Sequence, residues 1–90
     1  MELISKDEEI IICNKAIHKF GYALQKIVAI EEMSELAQAI SKSIRDKEHN
    51  VEEEIADVEI MLTQLKIMYN MEKVDEFREL KLKRLKGVVC

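Results

Sequence analysis

Ninety residues, 48% apolar and 36% charged, make one domain, too apolar for a disordered chain. A chain this short buries only about 60–65% of its unfolded surface, so its own core is marginal. The net charge of −4 argues against nonspecific nucleic-acid binding, which needs a broad basic face.

There is no proline, and the only glycines are Gly21 and Gly87. Leu, Ile, Glu, Lys, Ala and Met dominate, which predicts an all-α fold. Ser5 and Glu8 stand in capping-box register, and Asp7, Glu8 and Glu9 fall where a helix dipole favours acids. A first helix is therefore expected from Lys6 to Lys19, with a bend at Gly21. A second helix should begin near Tyr22 and run for about 25 residues, or roughly 37 Å. Its apolar positions Ile30, Met33, Ala37, Ile40 and Ile44 alternate spacings of three and four, the mark of one buried helical stripe. The polar stretch "RDKEHN", Arg45 to Asn50, reads as the loop. Asn50 is placed to cap the third helix, with Glu53 in the reciprocal position. That helix carries Ile55, Val58, Leu62, Leu65 and Tyr69 on one stripe. A fourth should start near Glu72, turn Val74, Phe77, Leu80 and Leu85 inward, and end at Gly87 as the residue after its last turn. Met33, Met61, Met68 and Met71 read as core filling.

Two long helices in so small a chain leave apolar stripes uncovered. A compact chain of this length has a radius of gyration near 12 Å, short of what a helix of about 37 Å needs. A homo-oligomer is the expected remedy. No signal-peptide pattern precedes the first helix, and no apolar run approaches the ~18 residues needed to span a bilayer. Cys13 and Cys90 lack metal or redox spacing, so Cys13 is expected to be a buried thiol and Cys90 part of the tail. Together these predict a soluble protein of a reducing cytoplasm, with no membrane partner.

The charge is unevenly spread. Glu31 to Asp57 holds nine acids against three bases, while Arg78 to Lys86 holds five bases against one acid. Glu32 and Glu35, three apart, share a face of the second helix. Glu54 and Asp57 repeat that spacing on the third, and Glu31 and Glu53 precede the two pairs. Met33, Leu36, Ile55 and Val58 interleave with these acids and should face the core, so the carboxylates should lie at its margin or within it. Four such groups together repel one another and resist desolvation, which a divalent cation relieves. Mg²⁺ takes oxygen ligands from carboxylates and phosphates. The loop must recover about 10 Å of helix offset, and five extended residues reach about 16 Å, so the two pairs can meet. The alternative is a solvated acidic face. A di-iron bundle is disfavoured, because neither His18 nor His49 follows a glutamate by three.

"EEMSE", Glu31 to Glu35, followed by "EEIAD", Glu53 to Asp57, resembles the paired EExxE and ExxD signature of MazG-like nucleotide pyrophosphohydrolases. These belong to the all-α NTP pyrophosphatase superfamily. The similarity runs roughly from Phe20 to Leu85 and includes "FGYALQKIVAIEEMSELAQAI" and "KLKRLKG". It implies a four-helix, bundle-like fold whose two long central helices carry the acids, assembled as a homodimer or homotetramer. The implied activity is hydrolysis of a (deoxy)nucleoside triphosphate between the α and β phosphates, in nucleotide-pool house-cleaning. It implies Mg²⁺, with Mn²⁺ as a substitute, on Glu32, Glu35, Glu54 and Asp57, neutralising the triphosphate and activating water.

Glu31 or Glu35 would orient or deprotonate that water; the other reading of Glu31 is a surface acid. Gln25 resembles a glutamine that contacts the nucleotide in relatives, or is a polar surface residue. Gln64 falls where many MazG-like proteins carry Asn, a substrate-contact position. Lys81 and Arg84, on one face of the last helix, resemble the basic groups that hold phosphates. Cations favoured at a helix C-terminus would explain them equally. Where Trp often precedes the glycine, this chain has Phe20. A reading of another class is a non-enzymatic helical module that dimerises through its aliphatic stripes.

Overall fold

A computed structural model describes residues 2–90 of the chain. Four helices account for nearly all of them: α1 (Lys6–Phe20), α2 (Tyr22–Ile44), α3 (Val51–Met68) and α4 (Met71–Val89). There is no strand among the described residues.

Ser5 caps α1, its Oγ accepting from the Glu8 backbone N–H at 3.1 Å. The chain then turns at Gly21, which serves as the C-cap of α1 and the N-cap of α2. Its N–H donates to the Ile17 carbonyl and its own carbonyl accepts from the Gln25 N–H, so one residue closes both helices. Gly21 manages this at φ 91° and ψ 154°, a conformation essentially reserved for glycine. The loop occupies the expected Arg45–Asn50 stretch, with Asp46 at φ 58°. Asn70 caps α4, accepting from the Lys73 N–H at 2.9 Å.

α2 and α3 form an antiparallel hairpin, and α1 packs across both. The buried apolar core is small: Cys13 and Ile17 from α1, Ala29 and Ala39 from α2, Val58 and Met61 from α3. The Cys13 thiol donates to the Ile60 carbonyl at 3.9 Å, and burial, aided by nearby Glu9, raises its pKa. Cys90 is exposed.

α4 packs against α3 alone and buries none of its residues. Phe77, Leu80 and Leu85, expected to point inward, are exposed; only Val74 is half-buried. Gly87 lies inside α4 rather than beyond its end. The radius of gyration, 15.6 Å, exceeds the roughly 12 Å of a compact chain of this length because α4 leaves the core.

The stripe expected on α2 is also displaced. Ile30, Met33, Ala37, Ile40 and Ile44 are all exposed, Ile30 at 67%. The face turned to the protomer runs one residue earlier, through Gln25, Ala29, Glu32, Leu36, Ala39 and Ser43. One residue is about 100° of helix rotation, so α2 has two neighbouring faces. The inner one is small and polar; the outer one is large and aliphatic. On α3, Glu54, Val58, Met61 and Gln64 are buried, while Ile55, Leu62 and Tyr69 of the expected stripe are exposed and Leu65 is half-buried. The acids therefore take inner positions that Met33 and Ile55 were expected to fill.

Candidate functional site

The hairpin brings three of the four paired acids together, and Glu35 stays outside the group. Glu32 lies on the inner face of α2, Glu54 in the first turn of α3, and Asp57 one turn further. One carboxylate oxygen from each falls within 4.8 Å of those of the other two. Glu54 is only 8% exposed, and Glu32 and Asp57 are half-buried. The Oε2 atoms of Glu32 and Glu54 are buried and have no hydrogen-bond partner.

Such an arrangement is costly without a counterion. A buried, unpaired carboxylate loses hydration that nothing replaces. Desolvation raises the Glu32 pKa first, followed by the charges of Glu35, Asp57 and Glu54 and by a hydrogen bond with Glu35. Every one of these influences favours the protonated acid. The positive end of the α3 dipole offsets part of the charge on Glu54.

The donor set fits a hard divalent cation. Such ions take carboxylate oxygens, and here two buried oxygens lack any other partner. No sulfur or imidazole belongs to the group. Glu35, one turn beyond Glu32, is exposed and outside the group of three, and its charge raises the Glu32 pKa. Glu31, one residue round the helix, is exposed and outside the group of three.

Gln25 and Gln64 meet each other. Both are buried, and Gln25 Nε2 donates to Gln64 Oε1 at 2.8 Å. Gln25 precedes Glu32 by seven residues and Gln64 follows Asp57 by seven. The amide pair therefore forms a second rung on the same α2–α3 seam, about 10 Å from the acids. Beside it, Lys26 Nζ lies 4.6 Å from the centre of the Tyr69 ring. Lys81 and Arg84 are exposed on α4, which makes no contact with α2.

The start of α3 differs from the sequence expectation. The Asn50 side chain makes no cap bond to α3. His49 Nδ1 instead accepts from the Val51 N–H, at 3.4 Å, and Asn50 Nδ2 donates to Glu54 Oε1 at 2.9 Å. Glu53, expected to reciprocate a cap, is exposed. The Asn50-to-Glu54 spacing of four was visible, but a helix-start Asn is read first as a cap.

Two concavities are lined by residues other than the acid cluster. One of about 330 Å³ is lined by Ile4, Ile12, Cys13 and Ile60 among others, and one of about 420 Å³ by Leu62, Leu65, Tyr69 and Val74 among others. No described helix is long and apolar enough to cross a membrane. No protein-family model matches the chain, and no curated protein or solved structure does.

Proposed function

We propose that this protein is a Mg²⁺-dependent pyrophosphohydrolase of (deoxy)nucleoside triphosphates, similar to MazG-like enzymes, acting as a homo-oligomer in the cytoplasm. The observation that carries the reading is the convergence of Glu32, Glu54 and Asp57 within 4.8 Å, with two buried oxygens lacking partners. The triphosphate follows from the sequence resemblance, since polyphosphates supply the remaining oxygens that a carboxylate-held Mg²⁺ wants.

In this reading Glu32, Glu54 and Asp57 hold Mg²⁺, or Mn²⁺ in its place, with Glu35 beside them. When bound, the ion neutralises phosphate charge and makes water a better nucleophile. Glu35 or Glu31, both exposed, orients the attacking water and takes its proton. The water oxygen bonds to the α phosphorus, the bond to the bridging oxygen breaks, and pyrophosphate leaves with that electron pair. The Gln25–Gln64 bond leaves Gln25 Oε1 to accept from, and Gln64 Nε2 to donate to, a nucleotide edge. Lys81 and Arg84 bind phosphate oxygens.

The exposed aliphatic face of α2 favours the second reading, a non-enzymatic dimerisation module. A Mg²⁺-dependent rise in melting temperature with pyrophosphate release on an NTP and dNTP panel supports the enzyme. Neither effect appears in the module. Full turnover in both Glu32→Gln and Glu54→Gln would overturn the site assignment.

A further inference from the structure

The two oxygens of Glu54 stand in different surroundings. Oε1 accepts from Asn50 at 2.9 Å, whereas Oε2 is buried and has no partner. We infer that Asn50 is a positioning residue for the metal site, fixing the Glu54 carboxylate so that Oε2 is the oxygen left to ligate. This rests on the reading of the acid cluster as a Mg²⁺ site.

Three observations carry it. Asn at a helix start normally bonds a backbone N–H of the first turn, and Asn50 does not. The carboxylate it binds instead belongs to the most buried acid of the cluster, which has few other ways to fix its orientation. The donor is also neutral. A lysine or arginine in its place would cancel the charge that attracts a cation; an amide orients the carboxylate without competing. Groups that bond to a ligating carboxylate in this way typically change metal affinity by roughly 10–100-fold when removed.

The test compares Asn50→Ser and Asn50→Ala in the full chain. Both lose the amide donor, and serine is too short to replace it, but serine restores a good helix cap. Mn²⁺ binding is read from the paramagnetic resonance of the free ion, and stability from thermal melts in chelator. Positioning predicts that the Mn²⁺ dissociation constant rises by roughly 10–100-fold in both variants, while the serine variant melts at or above the wild-type temperature. If affinity instead follows stability, lost with alanine and kept with serine, Asn50 is only a cap and the inference is overturned. An unchanged Mn²⁺ affinity in both variants overturns it too, leaving the metal site intact. A wild-type chain that binds no Mn²⁺ removes the metal reading itself, and this inference with it.

Discussion

Gln25 and Gln64 are buried against each other across the α2–α3 seam, joined by a single 2.8 Å hydrogen bond. Neither amide is fully satisfied by the other, since each can donate twice and accept twice. The rung shares the register that puts Glu32 near Asp57. Gln25→Leu should destabilise the fold by about 1–3 kcal/mol, because it leaves the Gln64 amide buried without its partner. The double variant Gln25→Leu/Gln64→Leu should recover most of that loss. Urea denaturation of the singles and the double closes the cycle. If the amides also contact nucleotide, the double variant should regain stability while its KM stays high, which separates the two roles.

Glu32 contributes one pH-dependent part of the metal-free protein's stability. Its pKa is raised in the fold by desolvation and by Glu35, Asp57 and Glu54. The folded state therefore binds this proton more tightly than the unfolded chain does. The resulting stabilisation is complete below the unfolded value and disappears as pH rises through the raised one. The chain holds 18 acidic residues, so the informative quantity is a difference between variants. In chelator, Glu32→Gln should melt higher than wild type, with the gap widening from acidic to neutral pH. If Glu32 ligates Mg²⁺, saturating Mg²⁺ should reverse the order. A gap that is flat with pH would mean Glu32 does not feel its neighbours.

The turn at Gly21 gives a test free of packing. A Cβ placed there would meet nothing within 4 Å, so any cost of substitution is conformational. At φ 91° and ψ 154° the backbone is outside the left-handed helical well that asparagine tolerates. Gly21→Ala and Gly21→Asn should therefore cost about the same, roughly 1–3 kcal/mol. Rescue by asparagine alone, measured by chemical denaturation, would show that the turn relaxes into the helical well.

Much of this was legible in the chain. Four helices, the Ser5 cap, the Gly21 bend and the Arg45–Asn50 loop follow from local chemistry, which acts over a few residues and leaves local marks. The meeting of Glu32 with Glu54 and Asp57 was also accessible, because identical spacings on two helices joined by a short loop constrain each other. The inner face of α2 was not. Periodicity finds the most apolar stripe, but it does not say what covers it. In this protomer Ala29, Glu32 and Ala39 face inward, and Ile30, Met33 and Ile40 do not. The Gln25–Gln64 bond was missed for a related reason. A lone glutamine on a helix is unremarkable, although equal offsets of seven from Glu32 and Asp57 mark the two as opposite in an antiparallel hairpin.

The outer face of α2 yields the last prediction. Ile27, Ile30, Met33, Ile40 and Ile44 are exposed along one side of a helix that spans the protomer. Scattered surface aliphatics need no explanation, but a continuous row on one helix marks an interface. α4 adds to the uncovered surface with Phe77, Leu80 and Leu85. If a second copy covers α2, the symmetry of a dimer repeats every substitution twice. Burying an isoleucine stabilises by about 1.5–3 kcal/mol, so losing two would weaken association by about 3–6 kcal/mol, or roughly 10²–10⁴ in the dissociation constant. Ile30→Lys should then sediment as a monomer at concentrations where wild type is oligomeric. Its helical content should persist, because Ile30 contributes nothing to the core of its own protomer. Retained assembly in Ile30→Lys and Ile40→Lys together would move the interface elsewhere, with α4 the next surface to test.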